Sequence, residues 1–286
     1  MDIWQALRQI GDEFSPRAIE ASRNLYVGSA LRPQDAGAKV TRDISYGPDD
    51  RHRLDVFQPV DAAPRPVVVF VHGGGFIAGD KGAEGVPFYN NVGAWAVRSG
   101  FVGVNITYRL APQHAWPCGA EDVARAIGWV AGHIGGHGGD PGRIVVVGQS
   151  AGATHVAGCI AGHGGSFPAP AGVVLLSGIY EPDAFKPDPV PEAYFGTDRG
   201  EYARRSAVLG LARTSVPCLF TISEFDPPVF QRQLAAVFET RTAVTGRCPE
   251  VLWLPGHNHF STSMQIGGPH DTLGPQLAAW VKRICG

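Results

Sequence analysis

Charge is scarce in this chain of 286 residues: 24 Lys and Arg stand against 26 Asp and Glu, for a formal net charge of −2. No Lys/Arg cluster occurs anywhere along it. A nucleic-acid surface needs a concentrated basic patch, so that class of partner is excluded. Cysteine is also sparse. Cys118, Cys159, Cys218, Cys248 and Cys285 lack the paired spacing of a metal site, and their odd number points to reduced thiols in the cytoplasm rather than a disulfide scaffold. Long apolar runs are missing as well. The longest, such as residues 66–71, fall far short of the roughly 20 residues needed to span a bilayer, so no membrane insertion is expected. The opening segment carries Asp2, Asp12 and Glu13 and no apolar core of a secretory leader, which again predicts a cytoplasmic location.

What the chain does have is core-forming material. Hydrophobic residues make up 44 % and charged residues 17 %, a composition that buries a sizeable core and excludes disorder. Residues 1 to about 36 read as helical: Ile3, Trp4, Leu7 and Ile10 recur at helical spacing, and Ser15-Pro16 supplies an N-cap followed by proline at the first helical position. Two alternating strands follow over 39–58, separated by the turn residues Gly47-Pro48-Asp49-Asp50.

From residue 66 the rhythm changes. Strands are predicted at 66–72, 101–108, 143–149, 171–178, 216–223 and 249–255. Helices are predicted around 90–99, 119–133, 151–162, 201–212, 228–244 and 272–284. The strands are continuous Val/Ile/Leu runs, as strands covered on both faces require, so the expected fold is α/β with a mostly parallel, doubly wound sheet whose edge is extended by the antiparallel pair. Residues 179–200 break the alternation with four prolines. A long irregular connection in a compact domain is usually functional, such as a lid or binding loop. With no repeat and no linker, the reading is one domain over 1–286, with cap elements at about 1–36 and 179–212. Phe185, Tyr194 and Phe195 are the aromatic residues expected to help roof a pocket.

Gly148-Gln149-Ser150-Ala151-Gly152 is a G-x-S-x-G pattern. Alone it proves little, because 38 glycines and 13 serines generate roughly 0.2 such patterns by chance in this composition. Its position is more telling: it ends a predicted strand and opens a predicted helix, the setting of a nucleophile elbow. There Ser150 would sit on a strained turn, Gly148 and Gly152 would avoid a collision between helix and strand, and the Ala151 N–H would lie at a helix N-terminus able to donate to an oxyanion. A Gly-rich βα turn with a hydroxyl cap is the plainer alternative.

His72-Gly73-Gly74-Gly75-Phe76 follows the strand at 66–72. Consecutive glycines let backbone approach a substrate and aim N–H groups at one point, and an HGGG loop in this place is the oxyanion loop of lipases and esterases. A phosphate loop is the weaker rival, because no Gly-Lys-Ser/Thr follows. His72 is expected to order the loop by hydrogen bonding. In such a fold an acid and then a histidine must follow the serine along the chain. Glu224 and Asp226 are both placed to be the acid, and His257 and His259 share the later loop. His133 and His137, four apart, lie among glycines and read as a helix end rather than a metal pair; no metal is expected.

Taken together, VHGGGF at 71–76, Tyr108-Arg109-Leu110-Ala111-Pro112 with Trp116-Pro117 beyond it, and Gly139-Asp140-Pro141-Gly142-Arg143-Ile144 leading into GQSAG resemble the hormone-sensitive-lipase-like family of bacterial carboxylesterases. The likeness runs from about 66 to 262 and implies the α/β-hydrolase fold with a small helical cap. It also implies oxyanion donors at Gly74, Gly75 and Ala151. Asp226-Pro227 matches the family's Asp-Pro-Leu, which selects Asp226, and the family places its histidine three residues beyond the glycine, which selects His259. Gln149 departs from the family's usual Asp, and the YRLAP block looks structural. The activity implied is hydrolysis of short-chain carboxylic esters by a Ser150–His259–Asp226 triad, with a small-molecule ester as partner and no cofactor; the family also admits a homodimer. Arylformamidases are close relatives and form the rival enzyme class. A catalytically inactive hydrolase acting as a small-molecule receptor is the rival outside enzymology.

Overall fold

The computed structural model describes residues 2–61, 63–184 and 187–286. Among the described residues, eight strands form one sheet: β1 (Lys39–Ser45), β2 (Arg53–Gln58), β3 (Arg65–Val71), β4 (Val102–Ile106), β5 (Gly139–Gln149), β6 (Gly172–Leu176), β7 (Cys218–Phe225) and β8 (Glu250–Asn258). Their order is β1-β2-β4-β3-β5-β6-β7-β8. β1, β2 and β4 pair antiparallel at one edge, and the remaining neighbours are parallel.

The helices are α1 (Ile3–Ile10), α2 (Pro16–Tyr26), α3 (Asn90–Arg98), α4 (Cys118–His133), α5 (Ala151–Ile160), α6 (Pro189–Phe195), α7 (Tyr202–Arg205), α8 (Val208–Arg213), α9 (Pro228–Thr245), α10 (Ser261–Met264) and α11 (Gly274–Cys285). The two-residue period of the strands sorts them between two cores. Val67, Val69 and Val71 of β3 pack with Val123 and Ile127 of α4, Val156 of α5, Leu211 of α8 and Val237 of α9. Val68 and Phe70 turn the other way, onto Val92 and Trp95 of α3 and Leu277 and Val281 of α11. Both faces of the central strands are therefore dry, which is why their sequences are uniformly apolar rather than alternating.

Several boundaries differ from expectation for local reasons. The helix expected over 201–212 breaks at Ser206, whose backbone is extended. There the Ser206 hydroxyl donates to Glu181 Oε2 at 2.9 Å and the Ala207 N–H to the Tyr180 carbonyl at 2.8 Å. Inside the irregular 179–200 stretch, α6 forms because Asp188 accepts the Val190 N–H at 2.9 Å and Pro189 takes the first helical position. At the other end, Ser15 caps α2 by accepting the Ala18 N–H at 3.2 Å. Leu7, Ala18 and Tyr26 of α1 and α2 then pack on Phe260 and Met264, just beyond β8.

Candidate active site

β5 runs straight into α5, and the turn between them holds Ser150 at φ 54° and ψ −119°. A positive φ is costly for a residue with a Cβ and persists only where the surroundings dictate it. They do so here. A Cβ on Gly152 would lie 2.1 Å from the Val71 carbonyl oxygen, and one on Gly148 would lie 2.6 Å from the Ala153 Cα. The elbow is thus wedged between β3 and the first turn of α5, and its serine hydroxyl leaves the sheet rather than lying in it.

The Ser150 hydroxyl donates to His259 Nε2 at 2.9 Å, and His259 Nδ1–H donates to Asp226 Oδ1 at 2.6 Å. All three residues are at least nine-tenths buried. Asp226 lies just beyond β7 and accepts two further hydrogen bonds on Oδ2, from the Ser177 hydroxyl at 2.7 Å and the Ser223 N–H at 2.6 Å. Glu224, the other acidic candidate, is exposed and turns away; its Oε2 accepts the Gly256 N–H at 2.7 Å and so ties the loop of the acid to the strand leading to His259. The carboxylate and the imidazole arrive from the ends of β7 and β8, one strand apart. This arrangement can polarise the serine hydroxyl and receive its proton.

His257, the other histidine of this loop, is fully buried and does not bond to Ser150. Its Nδ1 pairs with the Ser261 hydroxyl and its Nε2 with the Thr272 hydroxyl, both at 3.0 Å, and the Trp4 ring meets it edge-on at 5.1 Å. Burial pushes its imidazole down to about 4. Phe260, the neighbour of His259, stacks with Phe14 at 5.3 Å, while Phe230 approaches the His259 ring at 4.2 Å. The imidazole is therefore oriented by aromatic packing as well as by Asp226.

The loop after β3 crosses above the elbow. Gly74 and Gly75 adopt φ 136° and 60°, and Phe76 follows at 70°. A Cβ on Gly74 would sit 2.0 Å from the Ala78 carbonyl oxygen, so only glycine fits that turn. His72 orders the loop: its Nδ1–H donates to the Gly73 carbonyl at 2.6 Å, its own carbonyl accepts the Tyr108 hydroxyl at 2.8 Å, and its ring stacks on Tyr108 at 4.4 Å. Burial lowers it to about 4, which keeps it neutral at physiological pH. His155, lowered by burial to about 3, lies among Phe76, Tyr108 and Tyr194 beneath the same loop. Tyr108 and Arg109 of the YRLAP block are structural: the Arg109 guanidinium reaches Asp122 at 2.7 Å. Gln149 fills the space where a Cβ on Gly73 would stand, 2.3 Å from its Oε1.

Gly75, Ser150 and Ala151 open together on a cavity of about 510 Å³, whose walls are mainly apolar. Gly74 lies one residue back along the loop and does not line it. The Ala151 N–H, at the first position of α5, has no acceptor within its own helix. Phe14, Pro16 and Ile19 from the α1–α2 region close one side of the cavity, and Ala184, Val190 and Pro191 close another. Tyr194 and Phe195, expected in this wall, are buried beneath it instead, with Tyr194 stacked on Phe76 at 4.7 Å. Phe185, also expected there, lies outside the described residues. His133 and His137 do not converge: His133 Nδ1 pairs with the Trp129 carbonyl and His137 Nδ1 with Gln58 Oε1.

Ser177 is the site residue that sequence reasoning missed. Nothing in Leu176-Ser177-Gly178 marks a serine at the end of a strand as a partner of a carboxylate 49 positions further along the chain; only the fold brings them together.

Residues 68–245 match the family model described as the alpha/beta hydrolase fold. Esterase LipQ of Mycobacterium tuberculosis is 38 % identical over 125 residues, which cover 42 % of this chain and 29 % of that protein. Esterase LipI of the same organism is 45 % identical over 95 residues, 33 % of this chain and 28 % of its own length. The matches thus span less than a third of these relatives. Among solved structures, esterase B from Lactobacillus rhamnosis superposes with a TM-score of 0.78 at 16 % identity, covering 99 % of this chain and 96 % of that one. A thermostable esterase from Pseudomonas putida superposes with a TM-score of 0.66 at 21 % identity, covering 98 % and 92 %.

Proposed function

Because the chain belongs to the α/β-hydrolase family, we propose that it is a serine esterase that cleaves short-chain carboxylic esters through an acyl-enzyme. The observation that carries this reading is the continuous relay from the Ser150 hydroxyl through His259 to Asp226, at 2.9 and 2.6 Å. His259 takes the proton as Ser150 Oγ attacks the ester carbonyl, and the developing oxyanion is held by N–H groups of Gly74, Gly75 and Ala151. The protonated imidazole then gives its proton to the departing alcohol. Water repeats the sequence on the acyl-enzyme and frees the acid.

The cavity volume of about 510 Å³ falls in the lower half of the usual ligand-site range, roughly 300–1,000 Å³, and supports a small acyl group. The walls contributed by Phe14, Pro16 and Ile19 and by Val190 and Pro191 support the reading of cap elements at about 1–36 and 179–212 on a single hydrolase domain. The esterases among the relatives lend the ester as substrate class. All five cysteines are free thiols, which suits the reducing cytoplasm. A fluorophosphonate probe reacts rapidly only with an activated serine. It should label Ser150, and Ser150→Ala should fold normally while losing both labelling and hydrolysis of 4-nitrophenyl acetate and butyrate. Labelling that persists at another serine refutes the assignment.

A further inference from the structure

We infer that Ser177 is a positioning residue of the proposed triad, a fourth member of the relay that holds the Asp226 carboxylate in the plane and charge state His259 needs. The inference rests on the esterase reading above. Ser177 is buried, and its hydroxyl donates to Asp226 Oδ2 at 2.7 Å while His259 occupies Oδ1 at 2.6 Å. A buried carboxylate left short of donors is driven towards its neutral form, and a neutral acid cannot stabilise an imidazolium. Only two groups satisfy Oδ2 among the described residues: this hydroxyl and the Ser223 N–H.

The backbone supplies the second argument. Ser177 stands at φ 49°, a left-handed conformation that glycine adopts freely and serine does not. The surroundings impose it. The Leu176 carbonyl accepts the Ser150 N–H at 2.8 Å, and the Ser177 N–H reaches the Thr221 carbonyl at 3.3 Å. Next, the Gly178 N–H donates to the Tyr180 hydroxyl at 3.2 Å and the Ile179 N–H to the Thr154 hydroxyl at 2.9 Å. Thr154 in turn donates to the Ser150 carbonyl at 3.3 Å. The turn is thus pinned at every residue and anchored to the elbow itself. Local conformation asks for glycine at 177, yet a side chain is kept, and its one polar atom lies on the proposed catalytic acid. Local rules broken in this way mark functional positions.

The two requirements can be separated by substitution. Ser177→Gly removes the hydroxyl and relieves the backbone; Ser177→Ala removes the hydroxyl and keeps the strain. If the residue only shapes the turn, the glycine variant should be at least as active as the native protein. If the hydroxyl matters, both variants should lose about tenfold or more in kcat with KM little changed, although glycine melts at or above alanine. The acid limb of the kcat/KM profile should also move to higher pH. With one donor gone, the carboxylate competes better for a proton, so protonation blocks the relay at a higher pH.

Hydrolysis of 4-nitrophenyl butyrate across pH 5–9, paired with mass-mapped fluorophosphonate labelling, reads each quantity. A native protein that does not label at Ser150 overturns the esterase reading and this one with it. Native labelling at Ser150, with a Ser177→Gly variant whose kcat and acid limb match the native protein, overturns the role of Ser177 alone.

Discussion

His257 is a buried imidazole with both nitrogens engaged by hydroxyls, and its neutrality should be visible in how stability depends on pH. Burial lowers it from 6.5 to about 4 in the folded protein. Above 6.5 the ring is neutral in both states, so this stability is fully present. As pH falls below 6.5 the unfolded chain binds a proton that the folded protein refuses, and stability is lost progressively until about 4. That interval corresponds to on the order of 3 kcal/mol, of which about 2 kcal/mol is expressed by pH 5.

Replacing the imidazole with a side chain that cannot titrate removes this dependence. His257→Gln should cost about 1–3 kcal/mol at pH 7.5, through an imperfect fit to Ser261 and Thr272. Urea unfolding from pH 7.5 down to pH 5 should then show the gap between variant and native protein closing by about 2 kcal/mol. His72 and His155 titrate alike in both proteins and cancel in the difference. Esterase activity should stay within about tenfold, because Ser150 bonds to His259 and not to His257. Stability curves that run parallel over this pH range would refute the claim that His257 is held neutral.

Two further perturbations address the elbow and the cavity wall. Gly152→Ala puts a methyl group 2.1 Å from the Val71 carbonyl oxygen, so it should destabilise the protein by about 2 kcal/mol or more and lower kcat as Ser150 is displaced, checked by unfolding and by 4-nitrophenyl acetate turnover. Phe14, half-exposed and 5.1 Å from the His259 ring, closes one side of the cavity. Phe14→Ala should shift the kcat/KM ratio from acetyl and butyryl towards octanoyl esters, and an unchanged ratio would show that Phe14 merely packs on Phe260.

The legible parts of this molecule were those written in local pattern. Two-sided strands need unbroken runs such as Val67–Val71, and their spacing exposes the α/β alternation without any knowledge of the sheet order. The elbow and the glycine loop were legible because backbone geometry forbids Cβ atoms there, as Gly152 and Gly74 show. The family likeness separated Asp226 from Glu224 and His259 from His257; in the structure His259 bonds both Ser150 and Asp226, while Glu224 and His257 bond elsewhere. What escaped depended on contacts between distant segments. Ser177 reaches Asp226 across 49 positions, and His257 is sealed by Trp4 from the far end of the chain. The burial of Tyr194 and Phe195 likewise follows from ring contacts with Phe76, stacked for Tyr194 and edge-on for Phe195, and the direction of Phe76 is set by a positive φ that no hydrophobic count reveals.

The packing of α1 and α2 against the segment beyond β8 has a temporal meaning. Asn258 donates to the Ser22 hydroxyl across 236 positions, and Leu7, Ala18 and Tyr26 rest on Phe260 and Met264. Contacts of such sequence separation form only after the entropy of closing a very long loop has been met. During synthesis, the early helices therefore wait, with an apolar face uncovered, for the last strand to emerge. The sheet centre around β3 and β5 can condense before then; the histidine loop cannot. Under the proposed serine mechanism, a reactive Ser150 should accordingly appear later than secondary structure, so that its labelling reads out the docking of α1 and α2 onto the segment beyond β8 rather than folding in general.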